Sequence, residues 1–458
     1  MPRHDTGTSH TPQVCAIDAR RFHPLDEADE MYAHLRTHGF VVVREVADAE
    51  AVQKGHVLLW DFLEAHSSRV LQDSHGLVHR EDPGTWWCDR TWAPNAKDGI
   101  VYGLGIGQSE FMWHLRMLPR VRQAFAAVWE RAAADDAPEP SAGGAAGDTQ
   151  QARAGYALRS TVHSSGAEDC AECVRHPADP ARVSAKRKFD SAPIADAHAP
   201  ENAGSDSVID DLLVSFDSAG VFRPWRERQK PTKGGWYHTD QNYWNTGQEG
   251  FACVQGLVTL TDVHEGTGGL ALYPGSHRYF AQLSRLKRVK QEYEDHSEEY
   301  VRFHEKDLQH VLGKRKIGPC LVRARAGDMI LWDSRVVHSG TPSWHAGAGA
   351  SQEPGHEHRK CARLTAVGGS TFPDLAQEWR ESPSALLRIA GYVCMMPASR
   401  IPAQRRDHVL DVRKRIFARG WSTTHWPLQP ALGAKEAEPQ RRLQAPANRT
   451  QRRLIGFR

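Results

Sequence analysis

The sequence has no hydrophobic run of the kind that crosses a membrane. A membrane-spanning helix needs roughly 18 or more consecutive apolar residues, and no stretch of the 458 residues approaches that length. The first residues, Met1 to Asp5, also lack the apolar core of a secretory signal peptide. These two absences predict a cytoplasmic protein without a membrane span.

The sequence also has no large excess of charge of one sign and no regular cysteine spacing. The formal net charge is only +2, although 25% of the residues are charged, so bulk electrostatics predict neither a nucleic-acid partner nor an anionic membrane partner. The eight cysteines are scattered and lack the spacing of a disulfide framework, which is typical of a reducing compartment. The oligomeric state is left open.

Residues 132–207 contain few large apolar side chains. Ala, Asp, Pro, Gly and Ser dominate this stretch, which cannot bury enough apolar surface to offset the entropy cost of ordering. The sequence therefore predicts a disordered low-complexity insertion. Its Cys170 and Cys173 form a C-x-x-C pair without a second pair or a βαβ context. We interpret the pair as incidental, with zinc binding or redox chemistry as the alternative.

Residues 1–131 are expected to form a helical and strand module that packs on the rest of the chain. Apolar spacing predicts a helix over 26–36, followed by a buried strand over 40–43. Asp48 is a suitable N-cap for a second helix that runs to about Leu63. No chemistry is assigned to this module.

Residues 208–370 consist of short strands separated by turns. Strands are expected at 212–216, 251–262, 270–273, 329–332 and 363–367. They do not alternate with helices in the manner of a parallel sheet, although a charged helical excursion is expected at 280–316. The fold class predicted is mainly β with flanking helices, as a double-stranded β-helix (a jelly roll, cupin-like). Residues 371–433 are expected to add a strand and a helix outside the barrel, and residues 434–458 a mobile basic tail.

His238 and Asp240 lie two residues apart in a stretch rich in strand-favouring residues. Side chains alternate across a strand, so positions i and i+2 point the same way. A His and an Asp placed so can hold one metal ion from two adjacent corners. A second His would complete the two-His-one-carboxylate set of non-haem Fe(II) oxygenases, which leaves coordination positions open. The more common structural explanation is a buried His bonded to a nearby Asp.

Two later stretches contain the candidates for the third metal ligand and for a cosubstrate anchor. His338 is expected to stand at the end of an apolar strand, just before Ser339-Gly340, and to point into the mouth of the barrel as the third ligand. Arg363 and Thr365 share one face of a predicted strand, where a guanidinium and a hydroxyl can anchor the far carboxylate of a dicarboxylic cosubstrate. A surface ion pair is the alternative for Arg363.

Three blocks in this order resemble the phytanoyl-CoA dioxygenase-like (PhyH) family. They are His238-Thr239-Asp240, the stretch from Gly268 to His277 with its Pro-Gly-Ser-His turn, and the stretch from Gly327 to His338. The resemblance covers residues 209–370 and implies an Fe(II)- and 2-oxoglutarate-dependent oxygenase on a double-stranded β-helix. The segment Trp421–Pro427 also resembles C-terminal parts of some family members, without a role that we can assign.

The resemblance implies a role for particular positions. Fe(II) would be held by His238, Asp240 and His338, and the far carboxylate of 2-oxoglutarate by Arg363 with Thr365. Arg359 and Arg335 are the alternative anchors, because the gap from His338 to Arg363 is long. Ser276 and His277 are assigned to structure. The candidates for lining the pocket are Gln241, Tyr243, Trp244 and Gln255.

The implied reaction uses O2 and 2-oxoglutarate to hydroxylate a small organic substrate, with release of succinate and CO2, and ascorbate as a supporting reductant. The substrate itself is not predicted. Two alternatives remain: a Zn-dependent hydrolase on the same ligand set, which would need a general base that the sequence does not offer, and a non-catalytic jelly-roll binding or scaffold protein.

Overall fold

The computed structural model describes residues 14–70, 77–87, 90–95, 98–136, 207–224, 235–295, 298–342, 386–432 and 446–457. The expected insertion with Cys170 and Cys173, and the residues Arg359, Arg363 and Thr365, lie outside these ranges. Within them, no helix is both long enough and apolar enough to span a membrane.

Two β-sheets form the centre of the molecule. The strands of the described ranges are β1 (Cys15–Ile17), β2 (Arg21–Phe22), β3 (Phe40–Val43), β4 (Ile100–Val101), β5 (Leu212–Val214), β6 (Ala219–Phe222), β7 (His238–Thr239), β8 (Val254–Thr259), β9 (Gly269–Leu272), β10 (Val301–Arg302), β11 (Cys320–Val322), β12 (Met329–Asp333), β13 (His338–Thr341) and β14 (Arg388–Pro397). One sheet has the order β1-β11-β9-β13-β7-β10. The other has the order β2-β3-β12-β8-β14-β6-β4, with β5 also paired to β14. The mainly β, jelly-roll fold class is confirmed, and neither sheet closes into a barrel through the strands of the described ranges.

Helices flank the two sheets. Those of the described ranges are α1 (Ala28–His38), α2 (Ala49–Val70), α3 (Glu110–Met117), α4 (Pro119–Asp135), α5 (Val208–Asp211), α6 (Phe280–Ser284), α7 (Lys287–Tyr293), α8 (Glu305–Val311), α9 (Arg406–Ala418) and α10 (Arg449–Ile455). The two helices expected near the N-terminus are present, and Asp48 caps the second by accepting a hydrogen bond from Ala51 N at 2.8 Å. Gly39 ends α1 with a φ of +79°, where a side chain would also collide with Val336 and His277.

The N-terminal segment contributes strands to both sheets as well as packing on them. β3 pairs antiparallel with β12, and β1 pairs parallel with β11. The module expected over 1–131 to pack on the barrel is therefore also joined to the sheets through backbone hydrogen bonds.

The apolar core between the sheets is built from alternate residues of their facing strands. It contains Val42, Leu257, Leu272, Ile330 and Trp332 among its members. These side chains come from strands of both sheets and are buried, so each sheet covers the apolar face of the other.

Three local expectations are wrong. His338 does not end a strand: it begins β13, because residues 334–337 turn the chain after β12. The excursion at 280–316 is not wholly helical, since its β10 pairs with β7. The sheet also continues beyond residue 370, because β14 runs between β8 and β6 rather than outside the barrel.

The C-terminal tail is partly ordered, in contrast to the mobile tail expected over 434–458. Leu454 and Ile455 of α10 are buried. The fully buried Arg413 of α9 fixes them, because its guanidinium donates to four backbone carbonyl oxygens, of Val214, Pro427, Leu454 and Ile455, at 2.6–2.9 Å. A buried guanidinium is tolerated only when its donors are paired in this way.

Three histidines with lowered pKa values gather where α1 ends. The rings of His34 and His38 have centroids 4.4 Å apart, and His277 Nε2 lies 3.0 Å from the carbonyl oxygen of Arg36. Burial is the main cause that lowers the pKa of each imidazole. For His38, burial together with repulsion from His34 and Arg278 lowers the pKa to about 4.

We expect the free energy of unfolding to fall as the pH drops from near 6.5, the ordinary pKa of histidine, towards 4. In that window the unfolded chain binds protons that folded His38 does not bind, so protonation favours unfolding. Replacement of His38 with glutamine should flatten this dependence. Urea unfolding of both proteins at about pH 7.5 and about pH 5 measures it; an equal pH dependence in both would contradict the expectation.

Candidate metal centre

His238 and Asp240 are positioned by a very short strand. β7 contains only His238 and Thr239, and Asp240 follows it directly. The backbone N–H of Asp240 donates to the carbonyl oxygen of Ser334 at 3.0 Å, in the turn after β12. His238 and Asp240 therefore lie where β7 of one sheet meets the turn that follows β12 of the other sheet.

His338 is brought to the same place by strand pairing. It lies directly opposite His238 in the antiparallel pair of β13 and β7, and their ring centroids are 4.3 Å apart. His238 Nε2 is 3.3 Å from Asp240 Oδ1, and His338 Nε2 is 3.1 Å from Asp240 Oδ2. The three predicted ligands thus converge, with one donor atom from each within 4.8 Å of the others.

Backbone carbonyls determine which nitrogen of each imidazole faces the centre. His238 Nδ1 lies 3.1 Å from the carbonyl oxygen of Trp236, and His338 Nδ1 lies 2.9 Å from that of Val336. Each Nδ1 therefore carries the proton and donates it, which leaves the Nε2 lone pairs directed at Asp240. This second hydrogen bond is the usual support of a metal-binding histidine. Two unprotonated nitrogens facing a carboxylate repel it unless a cation lies between them, so the donor set fits a metal ion.

The electrostatics keep these groups in the state that binds metal. Burial, and then His338, lower the pKa of His238, which keeps the imidazole neutral at pH 7. Burial raises the pKa of Asp240, but the surrounding imidazoles of His238, His338 and His425 outweigh burial and hold it well below its usual range. A neutral imidazole and an ionised carboxylate are the forms that metal ions require.

Aromatic rings restrict the orientation of both histidines. Trp236 stacks on His238 with centroids 4.7 Å apart and an interplanar angle of 15°. Tyr300 meets the His238 ring edge-on at 6.2 Å, and Trp332 lies 5.4 Å from His338. Tyr300 is 37% exposed, so this neighbour of His238 reaches the protein surface.

The candidates for lining the pocket have different surroundings. Gln255 Nε2 donates to Asp240 Oδ2 at 2.5 Å. Gln241 instead braces its own loop, donating to the carbonyl oxygens of Gln248 and Gly250 at 2.7 and 2.9 Å. Tyr243 packs on Phe280, and its ring lies edge-on to that of Trp244. Of the four, Gln255 alone has a hydrogen bond to a member of the triad among the described residues.

The Pro-Gly-Ser-His turn has structural contacts. Ser276 Oγ accepts a hydrogen bond from Val337 N at 2.9 Å, one residue before His338. His277 contacts the carbonyl oxygen of Arg36. The turn therefore connects the start of β13 to the end of α1.

Two arginines within the described ranges, Arg335 and Arg388, are candidates for binding the carboxylate of a cosubstrate. Arg335 is paired with Asp333, with its Nη2 2.6 Å from Asp333 Oδ2, so its charge is already compensated. Arg388, at the start of β14, is only 2% exposed, and its Nε has no hydrogen-bond partner. Within the described ranges it forms no ion pair; its guanidinium lies 5.0 Å from the ring centroid of Phe222.

Arg388 faces the space between the sheets. Side chains at i, i+2 and i+4 of a strand share a face, and Ala390 and Tyr392 pack in the core cluster between the sheets. Burial raises the pKa of Tyr392, which the nearby Arg388 partly offsets. A buried cation without a carboxylate partner is costly unless an anionic group compensates it. Sequence reasoning missed this residue, although its alternation with Ala390 and Tyr392 could have indicated it.

One residue of the unassigned C-terminal segment also reaches the centre. His425 Nε2 contacts the backbone oxygen of Asp240 at 3.2 Å. Two residues earlier, Thr423 N donates to the carbonyl oxygen of Phe216 at 2.7 Å. The segment Trp421–Pro427 therefore reaches the loop that carries Asp240 through His425.

A comparison with known proteins found a relative that is similar to part of this chain. A protein of Aspergillus versicolor named Ava biosynthesis cluster protein O is 33% identical over 138 residues, which are 28% of this chain and 41% of that protein. The chain therefore spans less than half the length of this relative.

Solved structures are similar only at a low level. The carbocyclase SnoK from nogalamycin biosynthesis, whose description calls it non-heme and alpha-ketoglutarate dependent, has a TM-score of 0.38 and 13% identity over 83% of this chain and 87% of its own. The iron-bound EctD from S. alaskensis has a TM-score of 0.36 and 11% identity over 85% and 84%. Likenesses at this level add no argument to the site geometry.

The family match covers the segment that carries the centre. It begins within β6 and ends just after β13, so it contains all three converging side chains. Residues 221–344 match phytanoyl-CoA dioxygenase (PhyH), which confirms over this segment the family resemblance seen in the sequence.

Proposed function

We propose that the protein is an Fe(II)- and 2-oxoglutarate-dependent dioxygenase that hydroxylates a small organic substrate. The observation that carries the proposal is the convergence of two Nε2 atoms and one carboxylate, with both Nδ1 protons held by backbone carbonyls. Two imidazoles and one carboxylate are typical of non-haem Fe(II) oxygenases. The PhyH match over the same residues supports this choice of metal.

In this proposal His238, Asp240 and His338 hold the iron. When bound, iron with 2-oxoglutarate and O2 supplies the oxidising chemistry, with succinate and CO2 as the products of 2-oxoglutarate. The chain contributes the fixed orientation of its ligands and a buried setting. Trp236 and Trp332 cover the two rings, which limits the access of water to the ligand atoms.

We further propose that Arg388 binds the far carboxylate of 2-oxoglutarate. It lies on the strand that follows β13 in the described ranges, faces the space between the sheets and has no carboxylate partner there. A guanidinium pairs with a carboxylate through two parallel hydrogen bonds. The anchor expected from the sequence, Arg363 with Thr365, lies outside the described residues and is the rival assignment.

Release of succinate from 2-oxoglutarate tests the function. We expect the purified protein, supplied with Fe(II) and ascorbate in air, to convert 2-oxoglutarate to succinate slowly without a substrate and faster with its own. Replacement of Fe(II) by Zn²⁺ should abolish the release. Hydrolysis supported by Zn²⁺ would favour the hydrolase instead, and metal binding without turnover under any condition would favour the scaffold protein.

The substrate is proposed only as a class. The name of the Aspergillus versicolor relative places that protein in a biosynthesis cluster, which favours a small organic metabolite. A screen of such compounds for stimulated succinate release, followed by mass analysis for the gain of one oxygen atom, would identify it.

A further inference from the structure

Gln255 lies where it can control the carboxylate of Asp240. It is the second residue of β8, and its side chain is buried, with 5% of the residue exposed. Its Nε2 donates to Asp240 Oδ2 at 2.5 Å and approaches Ser334 Oγ at 3.3 Å. The same Ser334 accepts the backbone N–H of Asp240 through its carbonyl oxygen. Both the backbone and the side chain of Asp240 are therefore held from the other sheet.

We propose that Gln255 is a positioning residue of the metal centre, which fixes the rotation of the Asp240 carboxylate so that it binds the metal through one oxygen. The inference rests on the proposed function, because it assumes that a metal ion binds at the three converging side chains. In this role Gln255 acts through Asp240 rather than as a metal ligand itself.

The two oxygens of the Asp240 carboxylate differ in how many of their lone pairs are already engaged. An ionised carboxylate offers about four acceptor positions on its two oxygens, and an unrestrained one can bind a metal with both oxygens. The Gln255 N–H occupies one position on Oδ2, which also lies 3.1 Å from His338 Nε2, whereas Oδ1 has only the contact with His238 Nε2 at 3.3 Å. Oδ1 is therefore the oxygen left for the metal. Binding through one oxygen keeps a further coordination position for the cosubstrate.

The chemical type of the side chain also fits this role. An amide donates a hydrogen bond to the carboxylate without adding a second charge beside the metal. A lysine or arginine at this place would compete with the cation for Asp240, and an apolar residue would leave Oδ2 free. Gln255 is thus matched to an ionised ligand that must remain available to a metal ion.

The test compares Gln255→Met, which has a similar length and no donor, with two controls. Ser334→Ala removes only the longer contact at 3.3 Å, and Leu257→Met changes a neighbour on the same face of β8. Anaerobic calorimetry with Fe(II) gives the metal affinity, and the visible spectrum of the Co(II)-loaded protein reports its coordination. The melting temperature of the metal-free protein reports the fold.

We expect Gln255→Met to bind Fe(II) about 10- to 100-fold more weakly, the range for residues that orient a metal ligand, and to change the Co(II) spectrum. Both controls should bind within about threefold of the wild type. If Gln255→Met does not fold, Gln255→Asn, whose amide is one methylene too short for the contact, should show the same loss.

Several results would overturn the inference. A Gln255 variant with wild-type affinity and an unchanged Co(II) spectrum would leave Gln255 a purely structural role, particularly if only its melting temperature fell. The wild type serves as the reference for the proposed function itself. If the wild type binds no metal, the proposed function fails together with this inference; if it binds metal and Gln255→Met binds equally well, only this inference fails.

Discussion

Replacement of Asp240 with alanine is expected to remove Fe(II) binding while the two sheets remain folded. Asp240 is the single acidic member of the converging set, and both Nε2 atoms are directed at it. Without it, two neutral imidazoles would have to hold a buried divalent cation with no compensating charge. We expect the affinity to fall by more than about 100-fold, beyond the range for residues that only orient a ligand. Anaerobic calorimetry measures the change, and succinate release should be lost with it.

The stability cost of this substitution should be small. Asp240→Ala leaves the N–H of Gln255 without its main acceptor, which costs about 1–3 kcal/mol when the group stays buried. His277→Gln is the matched control, since it removes a buried histidine of the Pro-Gly-Ser-His turn that takes no part in the centre. It should retain Fe(II) binding. Wild-type turnover by Asp240→Ala would refute the ligand assignment.

Replacement of Arg388 with leucine is expected to raise the KM for 2-oxoglutarate by about 100-fold or more. The proposed pair of a guanidinium and a carboxylate is buried, and loss of one partner from such a pair typically costs about 3–5 kcal/mol, where about 1.4 kcal/mol corresponds to tenfold. Fe(II) affinity without 2-oxoglutarate should not change, because Arg388 has no hydrogen bond to the three ligands. Arg388→Lys should recover only part of the loss, since an ammonium lacks the planar fork.

Arg363→Leu provides the comparison that separates the two anchors. If Arg388 binds 2-oxoglutarate, Arg363→Leu should leave the KM within about twofold of the wild type. A large increase in the KM for Arg363→Leu with none for Arg388→Leu would return the anchor to the position expected from the sequence. Measurement of succinate at increasing 2-oxoglutarate concentrations distinguishes the two.

The ligand set could be predicted because it depends on local spacing and on the order of short motifs. His238 and Asp240 are two residues apart in any extended segment, and the PhyH resemblance fixed the partner at His338. The details differ, because β7 ends at Thr239 and His338 begins its strand. Strand ends depend on partners in other parts of the chain, which a local pattern does not report.

The distance along the chain from His338 did not indicate Arg388 as the anchor, because a long segment separates the two residues. The strand expected within residues 371–433 was placed outside the barrel, and Gly391 in its interior weakens the strand pattern. In the structure Gly391 is needed for close packing: a side chain there would collide with Leu115 and Met112 of α3. The contact of Gln255 with Asp240 could not be predicted from local sequence either, because it joins β8 of one sheet to the residue that follows β7 of the other sheet.

An iron anomalous-difference map from crystals loaded with Fe(II) and 2-oxoglutarate without oxygen tests the central claim most directly. We predict one strong peak in bonding contact with His238 Nε2, His338 Nε2 and one carboxylate oxygen of Asp240. A peak elsewhere in the molecule, or an iron bound to fewer than these three side chains, would contradict the proposed metal centre.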